Sequence, residues 1–217
     1  MEGIIYKVQP YQEHGRLCFT YTEQGKVTLL AQGAQKLNQT SRILAQFLTK
    51  IMFKEGKKSF IPLQESQIVN DYQRVKSDFF QTKAAALMLE IIDHLIVDNA
   101  NHFVIYHELC HALDAQKMDI AALSFAIKLI QELGYGLNLH PDGRKVKGVS
   151  ISKGALIYQD EEEFVDLDTK DAIILLKLSV MPYDLLDQEP FEDLTKIKEF
   201  ILKYYSFHLQ TTLKNLQ

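Results

Sequence analysis

GKVTLLAQGAQKLNQTSR, residues 25–42, decides the fold. Gly25 opens a turn, Val27, Leu29 and Ala31 fall on one side of an extended chain, and Gly33 ends the run. Period-two alternation marks a half-buried strand, and the Gly/Asn/Ser-rich segment after it marks a loop. That loop carries Lys36 and Arg42, so the stretch reads as a β-element followed by a cationic loop.

The pattern extends to both sides. Upstream, Ile4, Tyr6 and Val8 alternate until Pro10, and Leu17, Phe19 and Tyr21 alternate next. Downstream, Phe47, Thr49, Ile51 and Phe53 alternate, Glu55–Lys58 reads as a turn, and Ser59–Val69 reads as a fifth strand. Pro62 within it requires an edge or a bulge, because proline cannot donate to a ladder. Five short strands with regular turns predict a small barrel, and the five-stranded OB-fold is the smallest common solution. The expected first domain is residues 1–76.

From residue 77 the period changes to that of helices. Ser77 is placed as the N-cap of a helix reaching about Asp98, with Phe80, Ala84, Leu87, Ile91 and Leu95 on one face. Asn101–Lys117 and Asp119–Leu133 follow, and Gly134-Tyr135-Gly136 stops the third helix. Residues 137–168 read as an irregular, Gly-containing insert that ends in the acidic run Asp160–Glu163. Thr169 is expected to cap a helix running to Val180 and stopped by Pro182, and Asp193–Leu216 reads as a long last helix. The expected architecture is α+β, a barrel followed by a helical domain over 77–217.

Composition narrows the class. The chain of 217 residues has no apolar run of spanning length and no signal-peptide pattern. Its two cysteines, Cys18 and Cys110, give neither a disulfide framework nor a cysteine zinc site and suit a reducing compartment, so the chain reads as cytoplasmic. The net charge of −4 hides an asymmetry. Residues 1–60 hold nine Lys/Arg against four acids, and residues 61–217 hold fifteen against twenty-four. A basic module attracts phosphates, while an acidic remainder opposes indiscriminate coating of nucleic acid.

The sharpest short motif is His107-Glu108-Leu109-Cys110-His111, an HExxH on a predicted helix. In zinc peptidases the two histidines bind the metal and the glutamate activates its water. At about 100° per residue, Phe103, Tyr106, Leu109, Cys110 and Leu113 form a buried arc. His107 and His111 fall at its margin beside Asp114, Glu108 points outward, and Glu132, the one candidate for a third ligand, lacks a supporting motif. Exposed histidines on an amphipathic helix are the better reading. P-loop, Rossmann fingerprint, nucleophile elbow and CxxC are missing from the sequence. A binding protein is therefore favoured over an enzyme, and no cofactor or metal is expected.

The order of features is that of a known family. EGIIYKVQPYQEHGRLCFTYTEQGKVTLLAQGAQK at the start, RILAQFLTKIMFKEGKKSFIPLQES after it, AAALMLEIIDHL, FAIKLIQELGYGLNLH and the C-terminal ILKYYSFHLQTTLKNL together resemble the bacterial DNA repair protein RecO family. The resemblance implies an N-terminal OB-fold, a helical domain and the role of a recombination mediator. Such proteins bind single- and double-stranded DNA and anneal complementary strands. They engage the acidic C-terminal tail of single-stranded DNA-binding protein (SSB), and with RecR they help to load the RecA recombinase, acting on the nucleoid during repair. Many members carry a four-cysteine zinc site after the GYG block; Leu137–Phe164 contains no cysteine, so no structural zinc is expected.

Site residues follow from the charge pattern and the resemblance together. Lys7, Arg16, Lys26, Lys36, Arg42, Lys50 and Lys54 are candidates to track DNA phosphates on the barrel. Of Tyr6, Tyr11, Phe19, Tyr21, Phe47 and Phe53, most are core by alternation, leaving one or two to stack on bases. For the SSB tail, Lys128 and Lys203 are candidate cations at a groove rim, with Tyr204 and Tyr205 as candidate walls. The competing readings are the zinc peptidase and an OB-fold adaptor that binds only proteins.

Overall fold

The computed structural model describes residues 1–36, 40–56 and 59–217. The turn expected at Glu55–Lys58 and the loop between Gly33 and Arg42 lie partly outside those residues. The chain forms two compact units, Met1–Cys110 and His111–Gln217. The change from strand to helix that the sequence places at 76/77 is thus a different boundary from the one at which packing divides.

The first unit contains β1 (Glu2–Tyr11), β2 (Gly15–Thr22), β3 (Gly25–Ala31), α1 (Thr40–Leu44), β4 (Thr49–Met52), β5 (Ile61–Pro62), β6 (Gln67–Asn70), α2 (Gln73–Lys76), α3 (Phe79–Leu95) and most of α4 (His102–Asp114). The strands form one mixed sheet ordered β5-β3-β2-β1-β4-β6. Its two edges are consecutive in sequence. Laid flat, six strands would separate those edges by about 24 Å, at about 4.8 Å per step. The five residue steps from Pro62 to Gln67 reach only about 17 Å. The sheet must curl, and it does so as an OB-like half-barrel. The expected fifth strand is therefore two: β5 runs parallel to β3 (Leu29↔Ile61), and β6 runs antiparallel to β4 (Ile51↔Ile68). Pro62 sits on an edge strand, as its missing N–H requires.

Inside the curl lie Ile5, Cys18, Leu29, Ala31, Ala34, Ala45, Ile51, Phe53, Ile61 and Leu63. Small side chains at Cys18, Ala31, Ala34 and Ala45 leave room for the curled sheet to pack on itself. Strict alternation would put Ile4, Tyr6 and Val8 on one face. Instead the β1–β2 register shifts between Ile5 and Lys7. That irregularity inverts the phase, so Ile5 and Val8 both reach the inner cluster while Ile4 and Tyr6 are buried outside it. α3 packs against β1. It is capped by Asp78, which accepts the Gln81 N–H at 2.9 Å, not by Ser77. Its second half, Leu87–Ile92, is buried all round.

The second unit is built around α5 (Met118–Glu132), buried at nearly every position. A Schellman ending stops it: Gly134 takes φ +82° and the Tyr135 N–H reaches the Ile130 carbonyl at 3.0 Å. The insert is regular where irregularity is expected. β7 (Val146–Ser150), β8 (Ala155–Tyr158) and β9 (Leu167–Asp168) form a three-stranded sheet ordered β8-β7-β9. Short strands separated by charged turns carry too little alternation to be read as strands. Arg144 fastens this sheet, its guanidinium 3.8 Å from the Tyr158 ring centre and bonded to Asp142, Asp160 and Glu161. α6 (Thr169–Val180) is capped by Asp168, one residue before the expected Thr169. α7 (Tyr183–Leu186) and α8 (Thr195–Leu209) complete the unit, and the last helix ends seven residues earlier than its periodicity suggests, before a 3₁₀ turn at Lys214–Leu216.

Candidate nucleic-acid interface

Register decides which basic residues can meet a ligand. Cross-strand pairing puts Lys26 beside Tyr21, Tyr21 beside Ile4, and Ile4 beside Lys50, a single row across the outer face of the sheet. That face carries helix contacts. Lys26 Nζ donates to the carbonyls of Asp93 (2.9 Å) and Ile96 (2.8 Å), capping the C-terminal end of α3. Burial pushes its pKa down, with Asp93 and Asp98 opposing that shift. Lys7 pairs with Asp93 at 3.0 Å and lies over the Phe19 ring. Lys50 pairs with Glu2 at 2.9 Å and lies over Tyr106. These three lysines have partners within the fold, which sequence alone does not reveal.

A second group gathers at one end of the half-barrel. The β1–β2 hairpin closes where Tyr11 pairs with Gly15, and Arg16 pairs with Ala31 at the end of β3. Gly33, at φ +69°, turns the chain back. Gln35 then ties that turn to the hairpin, its N–H to His14 O at 3.1 Å and Nε2 to Gly15 O at 2.6 Å. Ser41 Oγ donates to Gln32 O, and Arg16 Nη1 to Ala45 O at 3.2 Å, anchoring α1 beside both loops. Lys36 is exposed, Arg16 and Arg42 are half-buried, and Glu13 is an acid on the same hairpin. Tyr11 and Phe60 stand edge to face at 5.8 Å, with Phe60 exposed. Cations and partly exposed rings on adjoining loops are what a single strand needs: charge for phosphates and faces for bases. Phe60 escapes the sequence reading because it falls in a bend just before β5, where strand alternation does not apply. Among the candidate stackers, Tyr6, Tyr21 and Phe53 are buried, whereas Tyr11, Phe19 and Phe47 are partly accessible.

Lys54 belongs to neither group. It follows Met52, which pairs with Glu2 at the start of β1, whereas Arg16 pairs with Pro10 near its end. Its ammonium lies 3.9 Å from Glu65.

The HExxH motif does not assemble a metal centre. His107 pairs with Glu23 in the β2–β3 turn at 2.9 Å, His111 is exposed, and Glu132 is exposed at the end of α5. Among the described residues no three His, Cys, Asp or Glu side chains come together in a way that could hold a metal ion. The expected buried arc holds for Tyr106, Leu109, Cys110 and Leu113, but Phe103 faces solvent.

In the second unit, Tyr204 and Tyr205 are fully buried, their hydroxyls donating to the carbonyls of Tyr135 and Ala126, each at 2.8 Å. Burial raises both pKa values and withdraws both rings from any exposed groove wall. Lys128 Nζ lies 4.0 Å from the centre of the Tyr183 ring, and Lys203 is exposed on α8. A groove of about 560 Å³ opens elsewhere in this unit, between α6 and the segment leading into α8. Ile173, Ile174 and Phe191 line it together with Lys170, Lys177 and Lys196 and with the acids Asp171, Glu189, Glu192 and Asp193. Lys177 pairs with Glu189, and Lys196 with Asp171 at 3.1 Å. The seven-residue spacing of Lys170 and Lys177 around Ile173-Ile174 is the sequence signal for this groove.

Comparison with known proteins adds an independent line. A family model described as "Recombination protein O C terminal" matches residues 76–159. The DNA repair protein RecO of Clostridium perfringens is 30% identical over 144 residues, covering 62% of this chain and 58% of that protein. Its counterpart in Oceanobacillus iheyensis is 22% identical over 222 aligned positions, 94% of this chain and 86% of that protein. The Clostridium acetobutylicum protein is 28% identical over 147 residues, 63% of this chain and 58% of that protein. The matches to the two clostridial proteins thus span less than two thirds of their length.

Proposed function

We propose that this chain, similar to the RecO proteins over residues 76–159 and beyond, is a non-catalytic mediator of DNA repair and recombination that binds DNA through the loops at one end of its half-barrel. The observation that carries this reading is that Arg16 at the start of β2, Lys36 after β3 and Arg42 in α1 are tied to the same end of the half-barrel as the Tyr11–Phe60 ring pair. Annealing then needs no catalytic residue. Cations that neutralise two backbones lower their repulsion, and base pairing drives the product.

Binding of the SSB tail belongs to the second unit in this reading. The apolar end of that tail would enter the groove lined by Ile173, Ile174 and Phe191, its carboxylate meeting Lys170 and its acidic stretch running away from Glu192 and Asp193, which line the same groove. Lys128 and Lys203 remain the alternative cations for the same role. RecR and RecA enter as partners by family kinship. No helix among the described residues is long and apolar enough to cross a membrane.

The test is annealing of complementary oligonucleotides by the full chain, with and without SSB, beside the double variant Lys36→Glu/Arg42→Glu. Annealing by the wild type, lost in the folded variant, is the expected result. A wild-type protein that binds neither single strands nor duplex would leave the protein-only adaptor as the surviving reading.

A further inference from the structure

Two consecutive phenylalanines open α3 and face water. Phe79 is 75% exposed and Phe80 78%, and their rings meet edge to face at 5.6 Å. The helix gives Phe80 the register of Ala84, Leu87 and Ile91, yet Ala84 is only half-buried and packing covers that stripe fully from Leu87 onward. Large apolar side chains left together in solvent mark a surface that something covers, and scattered single residues would not. The chemistry around the pair says what that is. Arg74 lies against the first turn of α3, its Nη1 donating to Gln81 Oε1 at 2.8 Å. Lys83 follows Phe79 by four residues and Phe80 by three, which puts it on their side of the helix. The acid next to the pair, Asp78, accepts the Gln81 N–H as the helix cap.

We propose that Phe79 and Phe80, bracketed by Arg74 and Lys83, form a base-stacking platform for single-stranded nucleic acid, additional to the loops at the barrel end. The proposal rests on the DNA-binding reading above. Cations within one turn of the rings would sit at the core of any protein interface built there, and such cores are depleted of charge. Phosphates need those same cations, and each base offers a face to a ring. Duplex DNA keeps its bases stacked and cannot use the platform.

The chain contains no tryptophan, so Phe80→Trp in the full chain introduces a single tryptophan at the proposed site, which can be excited beyond the tyrosine absorption band. Titration with a thymine oligonucleotide of about 15 nucleotides, within the site size of one OB domain, should quench that emission along the binding curve read by anisotropy of a labelled strand. A duplex of equal length should bind without quenching. Phe79→Ala/Phe80→Ala should weaken single-strand binding by roughly fivefold to hundredfold and leave duplex affinity and circular dichroism unchanged. Unaltered single-strand affinity in the double alanine variant, or binding without quenching, overturns the platform while the barrel reading stands. If the wild type binds neither nucleic acid, both readings fall together. A wild type that sediments as a dimer and an alanine variant that sediments as a monomer would make this a self-association surface and overturn the proposal.

Discussion

Replacing Lys26 by methionine removes the ammonium that caps α3 and keeps most of the stem. Two charge-assisted hydrogen bonds disappear, to the Asp93 and Ile96 carbonyls. Each is worth about 1.5–3 kcal/mol, and the favourable position at a helix C-terminus adds about 0.3–1 kcal/mol. Burial of the ammonium, which lowers its pKa, offsets part of this sum. A net loss of about 2–4 kcal/mol is expected from these terms. The proper control is Lys7→Met, because the Lys7–Asp93 pair is more exposed and such pairs contribute about 1 kcal/mol or less. Urea unfolding followed by circular dichroism gives both losses, and amide exchange locates them. Exchange should rise at the C-terminal turns of α3 in the Lys26 variant. The folded Lys26 variant should also keep the wild-type affinity for oligonucleotides, because its ammonium faces a helix and not a strand of DNA. A Lys26→Met variant no less stable than Lys7→Met, or one that loses DNA binding while remaining folded, would overturn the role of Lys26 as a structural cap.

Other outcomes follow from other sites. Lys36→Glu/Arg42→Glu should weaken binding to all sequences alike, and the dependence of log affinity on log salt should become shallower by roughly 0.7–0.9 per lost phosphate contact; an unchanged slope removes those residues from the interface. Tyr205→Phe strips a buried hydroxyl from the Ala126 carbonyl and should cost about 1–3 kcal/mol in urea unfolding without changing affinity for an SSB tail peptide. Asp142, Glu161 and Asp168 have folded pKa values below the ordinary carboxylate range, the first held by Arg144, the second by Lys153 and Arg144, the third by the N–H of Asp171. Their contribution is therefore present above the unfolded carboxylate pKa and is lost as pH falls through the lowered values. Protection factors across β7 and β8, with exchange referred to the intrinsic rate at each pH, should fall on acidification below about pH 4, and Arg144→Gln should remove the part that comes through Asp142 while leaving the parts that come through Glu161 with Lys153 and through Asp168. Asp168→Ala should shorten α6 at its start and cost about 1 kcal/mol, measured as a shift in the urea midpoint.

Much of this protein is written locally. Alternation over Leu29 and Ala31, the glycines at 25 and 33, and the helical period from Phe79 onward depend on neighbours a few residues apart, so the sequence alone determined a strand-rich start and a helical remainder. Gly134 at the end of α5 is equally local, since only a residue tolerant of positive φ fits a Schellman turn. Local rules fail where the outcome depends on a partner distant in the chain. The irregularity after Ile5 inverted the faces of β1, and the break after Pro62 made one strand into two because each half pairs with a different strand. The basic residues divide for the same reason. Nothing near Lys26 in sequence announces the end of α3 some seventy residues later, while Arg16, Lys36 and Arg42 converge only because the start of β2, the turn after β3 and α1 share one end of the curl. Charge and residue type are properties of the sequence, but whether a lysine is a structural cap or a surface cation is decided by what the fold places within 3 Å of its ammonium.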